Sequence, residues 1–214
     1  MESVTAILFD WDGTLLDSYD AGFRASMAVF RHFGISADRQ RFLDTYNPNW
    51  YETYRSVGLP EADWDTADRI WLEVYHQNPS PLYAFARATL EILAQNGYAL
   101  GLVTSGNRRR VTEEVERHGL NGLFFAMVCF EDTAEKKPHP APLLTALKNM
   151  GRTAAESAYV GDRPEDILMG RRTGSYTIGV ESAYVTREAL LAVSPDVIFP
   201  NAGHLPSQFG PRHV

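Results

Sequence analysis

The chain predicts an α/β fold: a mostly parallel sheet with helices on both faces, interrupted near its start by an all-helical domain. Three observations lead there. Over the last two thirds of the 214 residues, short apolar runs alternate with segments of helical period, the pattern of right-handed crossover units. One further apolar run stands alone at the N-terminus. Between it and the rest lies a long stretch whose apolar residues recur only at helical spacing.

Taken in order, Val4-Thr5-Ala6-Ile7-Leu8-Phe9 is apolar and partly β-branched, as a strand buried on both faces must be. It stops at Asp10, places Asp12 two residues on and turns at Gly13. Phe23, Met27, Phe30 and Phe33 share one face of a helix from Asp17 to Phe33, which Gly34 ends. Phe42, Tyr46, Trp50, Tyr51 and Tyr54 predict shorter helices broken at Asn47-Pro48. Trp64, Ala67, Trp71, Val74 and Tyr75 mark another, starting near Pro60. Asn78-Pro79-Ser80-Pro81 closes the block as a hinge. The helical domain is thus 17–81, and the α/β core is 1–16 with 82–214.

After the hinge come a helix over Ala84–Asn96, a strand over Tyr98–Val103, a helix over Arg109–His118 and a strand over Phe125–Phe130. A helix over Ala141–Met150, a strand at Ser157–Val160, a helix over Glu165–Thr173 and a strand over Tyr176–Val180 follow. Asp196–Phe199 is a last short strand, and the chain is expected to fray from Ser207.

A hydrophobic content of 44% is enough for a sizeable core. Twenty basic and 27 acidic residues leave a formal charge of −7, which argues against nucleic-acid or membrane-surface binding. The single cysteine, Cys129, excludes an internal disulfide and lies in an apolar run, so a buried core thiol is expected. No leader-like segment and no apolar run of membrane-spanning length is present, so a cytoplasmic protein, monomeric or homodimeric, is expected.

In open parallel sheets, ligands bind beyond the carboxyl ends of the strands. There the chain places Asp10 and Asp12, then Thr104-Ser105-Gly106, then Lys136-Lys137, then Asp162 and Asp166. Two carboxylates ending a buried strand need a compensating charge, and hard oxygen donors suit Mg²⁺.

These stretches resemble, in order, the four motifs of the haloacid dehalogenase superfamily. Asp10-Trp11-Asp12-Gly13-Thr14-Leu15-Leu16-Asp17-Ser18 is similar to the first, Thr104 to the second, Lys137-Pro138 to the third, and Gly161-Asp162 with Asp166 to the fourth. The resemblance implies a Rossmann-like core with a helical cap and, through the Leu15–Ser18 extension, the phosphoglycolate phosphatase-like group. It implies Mg²⁺-dependent hydrolysis of a small phosphate ester through an aspartyl-phosphate. Asp10 would be the nucleophile and Asp12 the general acid and base. Asp10, the Asp12 carbonyl and Asp162 would hold the metal. Thr104, Ser105, Gly106 and Lys137 would hold the phosphoryl group, and Asp166 would orient Lys137 or a metal-bound water.

The presence of Asp12 and the lack of lysine in 17–80 disfavour carbon–halogen and carbon–phosphorus cleavage. A phosphomutase of the β-phosphoglucomutase type and an inactive binding protein of the same fold are the alternatives. Lys136 is assigned to solvent, because adjacent lysines point apart. Arg108, Arg109 and Arg110 diverge by about 100° per residue, so at most one can face the site, and a solvated helix surface is expected. His139, between two prolines, is read as structural or exposed. Trp50, Tyr51, Tyr54 and Arg55 are candidate substrate contacts should the cap close.

Overall fold

Strand β1 (Ala6–Phe9) lies inside a six-stranded parallel sheet of order β3-β2-β1-β4-β5-β6. The other strands are β2 (Ala99–Val103), β3 (Phe124–Val128), β4 (Ser157–Gly161), β5 (Tyr176–Val180) and β6 (Val197–Phe199). The structure is a computed structural model and describes residues 3–212. It divides into two units, Met1–Leu16 with Leu82–Val214, and Asp17–Pro81.

The alternation of side chains along β1 builds two cores. Ile7 and Phe9 join Leu100, Leu102 and Val160 on one face, together with Leu90 and Leu93 of α5 (Ala86–Gln95) and Val111 and Val115 of α6 (Arg108–Arg117). Ala6 and Leu8 join Val103 and Tyr159 on the other, with Leu143 and Leu147 of α7 (Ala141–Met150) and Met169 of α8 (Pro164–Thr173). Each such fully buried large side chain contributes about 1.5–3 kcal/mol. A strand covered on both sides has no place for a charge until it ends, and Asp10 is the first residue past the end.

The register decides what meets there. Phe9 lies opposite Leu102 on β2 and Val160 on β4. The three strands therefore finish at one level, and the segments after them leave from a common edge.

Two expectations need correcting. The strand expected at Phe125–Phe130 runs over Phe124–Val128, and Phe130 begins a 3₁₀ turn. Phe125 is 74% exposed despite the apolar run, because β3 is an edge strand. A helix α9 (Arg187–Ala192), too short to show a period, follows β5. The C-terminus does not fray at Ser207: α10 spans Leu205–Gln208, and Phe209 is buried against Tyr98. Arg212 N donates to Asn96 O at 3.0 Å, while His213 and Val214 lie outside the described residues.

The second unit holds α1 (Tyr19–His32), α2 (Arg39–Thr45), α3 (Trp50–Ser56) and α4 (Trp64–His76), with no strand among the described residues. Its core is Val29, Phe30, Tyr54, Leu59 and Ala67. Trp50, Tyr51, Tyr54 and Arg55 are engaged within this unit. Trp50 packs against that core, and Tyr51 stacks on Trp64 at 4.7 Å between ring centroids. Tyr54 Oη donates to Asp68 at 2.8 Å, and Arg55 pairs with Glu52 and Glu61. No helix among the described residues is long and apolar enough to cross a membrane.

Candidate active site

The backbone N–H of Asp10 still donates to Val160 O at 2.8 Å, so the sheet ladder fixes this residue one step beyond β1. Lys137 Nζ lies 2.6 Å from Asp10 Oδ1 and 2.7 Å from Asp166 Oδ1. The lysine side chain is 3% exposed, so both are buried charge-assisted bonds. Asp166 is held in turn: Tyr159 Oη donates to its Oδ1 at 3.2 Å, and Arg163 N to its Oδ2 at 3.2 Å, capping α8. Gly161 makes the arrangement sterically feasible, because a Cβ there would stand 2.4 Å from the Asp166 side chain.

Asp162 is fully buried and has hydroxyl partners in place of a cation. Thr14 Oγ1 donates to its Oδ1 at 3.1 Å and Ser182 Oγ to its Oδ2 at 2.6 Å. Gly13, at φ +82°, lets the loop after β1 pass beside it, since a Cβ would fall 2.5 Å from Asp162 Oδ2. Burial, and then the nearby Asp166 charge, push the Asp162 carboxyl up to about 7. Asp10 is likewise raised well above the carboxylate range by burial, with Asp166 and Asp162 adding to the rise and Lys137 opposing it. Burial alone would lower the Lys137 ammonium, but Asp10 and Asp166 outweigh it and hold the group above its usual range.

Asp10, Asp162 and Asp166 each offer a carboxylate oxygen, all within 4.8 Å of one another. Three buried carboxylates against one ammonium leave an uncompensated negative charge, and the donors are all oxygen. Such a set fits a hard divalent cation.

Asp12 is bound elsewhere. Arg110 Nη1 donates to its Oδ1 at 3.0 Å and Nη2 to its Oδ2 at 2.6 Å. This corrects the expectation of a solvated arginine surface on α6. Arg109 is outward and Arg108 pairs with Asp132, but Arg110 is 4% exposed. It also donates to Glu114 Oε2 at 3.1 Å, and Trp11 Nε1 donates to the same oxygen at 2.8 Å. Sequence reasoning missed Arg110 and Glu114. The available signal was their four-residue spacing beside buried Val111 and Val115, which puts both charges on an inward face.

Thr104 is buried, with Oγ1 accepting from Gly106 N at 2.9 Å. Thr104, Ser105 and Lys137 line one small cavity, together with Cys129, Phe130 and Lys136. Lys136 is not solvated as expected: its ammonium donates to the carbonyls of Phe130 and Thr133 and lies over the Phe130 ring. Cys129 is buried, which pushes its thiol up to about 12. His139 is exposed, its Nδ1 accepting from Ala141 N at 3.2 Å.

The chain is similar to known proteins over nearly its whole length. A pyrophosphatase PpaX from Bacillus velezensis is 29% identical over 204 residues, covering 94% of each chain. A phosphoglycolate phosphatase from Yersinia pestis is 28% identical, covering 95% of this chain and 92% of that one. Among solved structures, a haloacid dehalogenase-like family hydrolase from Streptococcus pneumoniae superposes with a TM-score of 0.84 at 22% identity, covering 98% of this chain and all of that one. The haloacid dehalogenase-like hydrolase profile matches residues 7–180, from inside β1 to the end of β5 and so across every strand-end segment that builds the buried carboxylate cluster. The chain belongs to the haloacid dehalogenase-like hydrolase family.

Proposed function

We propose that the protein is a Mg²⁺-dependent phosphatase that hydrolyses a small phosphate ester through an aspartyl-phosphate on Asp10. The observation that carries this reading is the buried Lys137 ammonium 2.6 Å from Asp10 Oδ1, with Asp162 beside it. Lys137 occupies one Asp10 oxygen, and the other attacks phosphorus. The phosphorus–oxygen bond to the ester breaks, and its electron pair leaves on the alcohol oxygen, which takes a proton from Asp12. Asp12 then accepts a proton from water as that water attacks phosphorus, restoring the Asp10 carboxylate and releasing inorganic phosphate. Thr104, Ser105 and Gly106 bind the phosphoryl oxygens through hydroxyl and backbone donors, and Lys137 offsets their charge. Asp10, Asp162 and the Asp12 carbonyl would hold Mg²⁺, which when bound supplies the positive charge that lets one anion approach another.

A small phosphorylated metabolite is the inferred substrate class, and an acidic chain with one buried thiol suits the cytoplasm. A second reading, cleavage of a phosphoanhydride, is favoured by the similarity to a pyrophosphatase; there the departing phosphate needs less help from Asp12. The test is release of inorganic phosphate from a panel of phosphate esters and pyrophosphate, with Mg²⁺ and with EDTA. Turnover should require the metal and vanish in Asp10→Asn. Undiminished turnover in that variant would remove Asp10 as nucleophile, and isomerised sugar phosphate in place of free phosphate would identify a phosphomutase.

A further inference from the structure

We infer that Arg110, locked by Glu114, is a positioning residue that sets the carboxylate of Asp12 for proton transfer. The inference rests on the proposed role of Asp12 as general acid. Two parallel N–H bonds, of 3.0 and 2.6 Å, join the Arg110 guanidinium to the two oxygens of Asp12. A bidentate fork fixes the plane of a carboxylate as well as its distance, which a lysine cannot do. The fork is itself immobilised, because Arg110 also donates to Glu114 at 3.1 Å. Glu114 is 2% exposed and accepts from Trp11 Nε1 at 2.8 Å.

The connection closes a ring. Trp11 stands between Asp10 and Asp12, so the chain leaves the loop after β1 at Trp11, passes through Glu114 and Arg110, and returns at Asp12. The nucleophile's neighbour and the acid are thus tied to the same two side chains of α6. Arg110 also touches the next loop of the site: a Cβ on Gly106 would lie 2.4 Å from Arg110 Nη2, so only glycine leaves the guanidinium its space. A charge only 4% exposed and spent wholly on structure would be costly where an apolar side chain could serve. Its placement on the acid gives that cost a use. The fork favours the ionised form, so the proton that Asp12 gives to the leaving oxygen is taken up against the Arg110 charge; what the fork supplies is a fixed plane for the carboxyl.

The test is the dependence of rate on the leaving group in Arg110→Met, Arg110→Lys, Glu114→Gln and Asp12→Asn, measured with Mg²⁺ on an alkyl phosphate and on p-nitrophenyl phosphate. A nitrophenolate leaves without a proton, whereas an alkoxide does not. Asp12→Asn should therefore lower kcat for the alkyl ester far more than for the aryl ester. Arg110→Met should reproduce that selectivity, with at least a tenfold greater loss on the alkyl ester and KM changed less than threefold. Arg110→Lys should recover part of it. The double variant Asp12→Asn with Arg110→Met should be no more selective than Asp12→Asn alone. Glu114→Gln preserves shape and keeps an acceptor for Trp11, so it should show the same selectivity, at threefold or more, even if Arg110→Met does not fold. Equal losses on both esters in the folded Arg110 and Glu114 variants would overturn the inference while leaving Asp12 as acid. Absence of selectivity in Asp12→Asn would overturn the acid assignment and this inference with it.

Discussion

Asp162→Asn is the substitution that most directly asks whether the buried cluster is built for a cation. Asparagine keeps the shape and can still pair with the hydroxyls of Thr14 and Ser182, which lie 3.1 and 2.6 Å from the Asp162 oxygens. What it removes is a charge that the protein alone does not offset. The folded carboxyl is pushed up to about 7 from an ordinary 3.8, and that difference corresponds to about 4 kcal/mol. A raised carboxyl stabilises the fold fully below its unfolded value, and that contribution is lost as pH rises through the folded one. In the metal-free wild type the loss therefore develops between about pH 4 and pH 7, reaching about 2 kcal/mol at pH 5 and about 4 kcal/mol by pH 8. The variant lacks this titration. In urea unfolding with EDTA, the gap between Asp162→Asn and wild type should move in the variant's favour by about 2–3 kcal/mol from pH 5 to pH 8. Constant costs of the amide cancel in that difference. Addition of Mg²⁺ at pH 8 should stabilise the wild type and not the variant. A gap that does not change with pH, or a variant that Mg²⁺ stabilises as strongly as wild type, would refute the reasoning.

Two further outcomes follow from the same buried groups. Lys137→Met leaves Asp10 and Asp166 without their shared partner, at 2.6 and 2.7 Å in the wild type; it should cost about 3–5 kcal/mol at pH 8, less at pH 5, and abolish turnover, read by urea unfolding and phosphate release. Cys129 is 1% exposed with its thiol pushed up to about 12, so a thiol-directed alkylating reagent should leave the native protein unlabelled at pH 8 and label it on unfolding, by intact mass.

How much of this was legible in the sequence depends on whether a residue's role is set by the strand ends or by what packs against it later. Asp10, Thr104, Lys137, Asp162 and Asp166 follow strands or the loops after them, and a parallel sheet gathers such positions at one edge whatever the intervening lengths. Local pattern sufficed to place them at that edge. Arg110 fails that rule because it sits inside a helix, where a charge reads as solvated unless its partners are known. Its partners, Asp12 and Glu114, come from two elements 98 residues apart in one case and four in the other. Lys136 was misread for a related reason: its acceptors are backbone carbonyls of Phe130 and Thr133, which no side-chain pattern reveals. Phe125 shows the converse, since an apolar run announces a strand but says nothing of whether that strand is interior or edge. A four-residue helix has no period, so the pattern alone predicts fraying from Ser207, yet Phe209 anchors the end of the chain in the core.

Each of two buried cations of the site answers two carboxylates, and a fifth carboxylate stands apart from both. Arg110 answers Asp12 and Glu114, and Lys137 answers Asp10 and Asp166. Asp162 is left with hydroxyl partners, and although Arg163 eases its charge from nearby, that guanidinium has its own carboxylate in Glu165 at 3.3 Å. Hydroxyl dipoles do not neutralise an anion buried completely, so burial raises its carboxyl and the nearby Asp166 charge adds to the rise. The residual negative charge includes that of Asp162, which offers a carboxylate oxygen within 4.8 Å of one from Asp10. A cation entering there would meet Asp10 and Asp162 together while Lys137 keeps its grip on the other Asp10 oxygen. Under the proposed role of Asp10, that arrangement holds one of its oxygens on Lys137 and leaves the other for phosphorus.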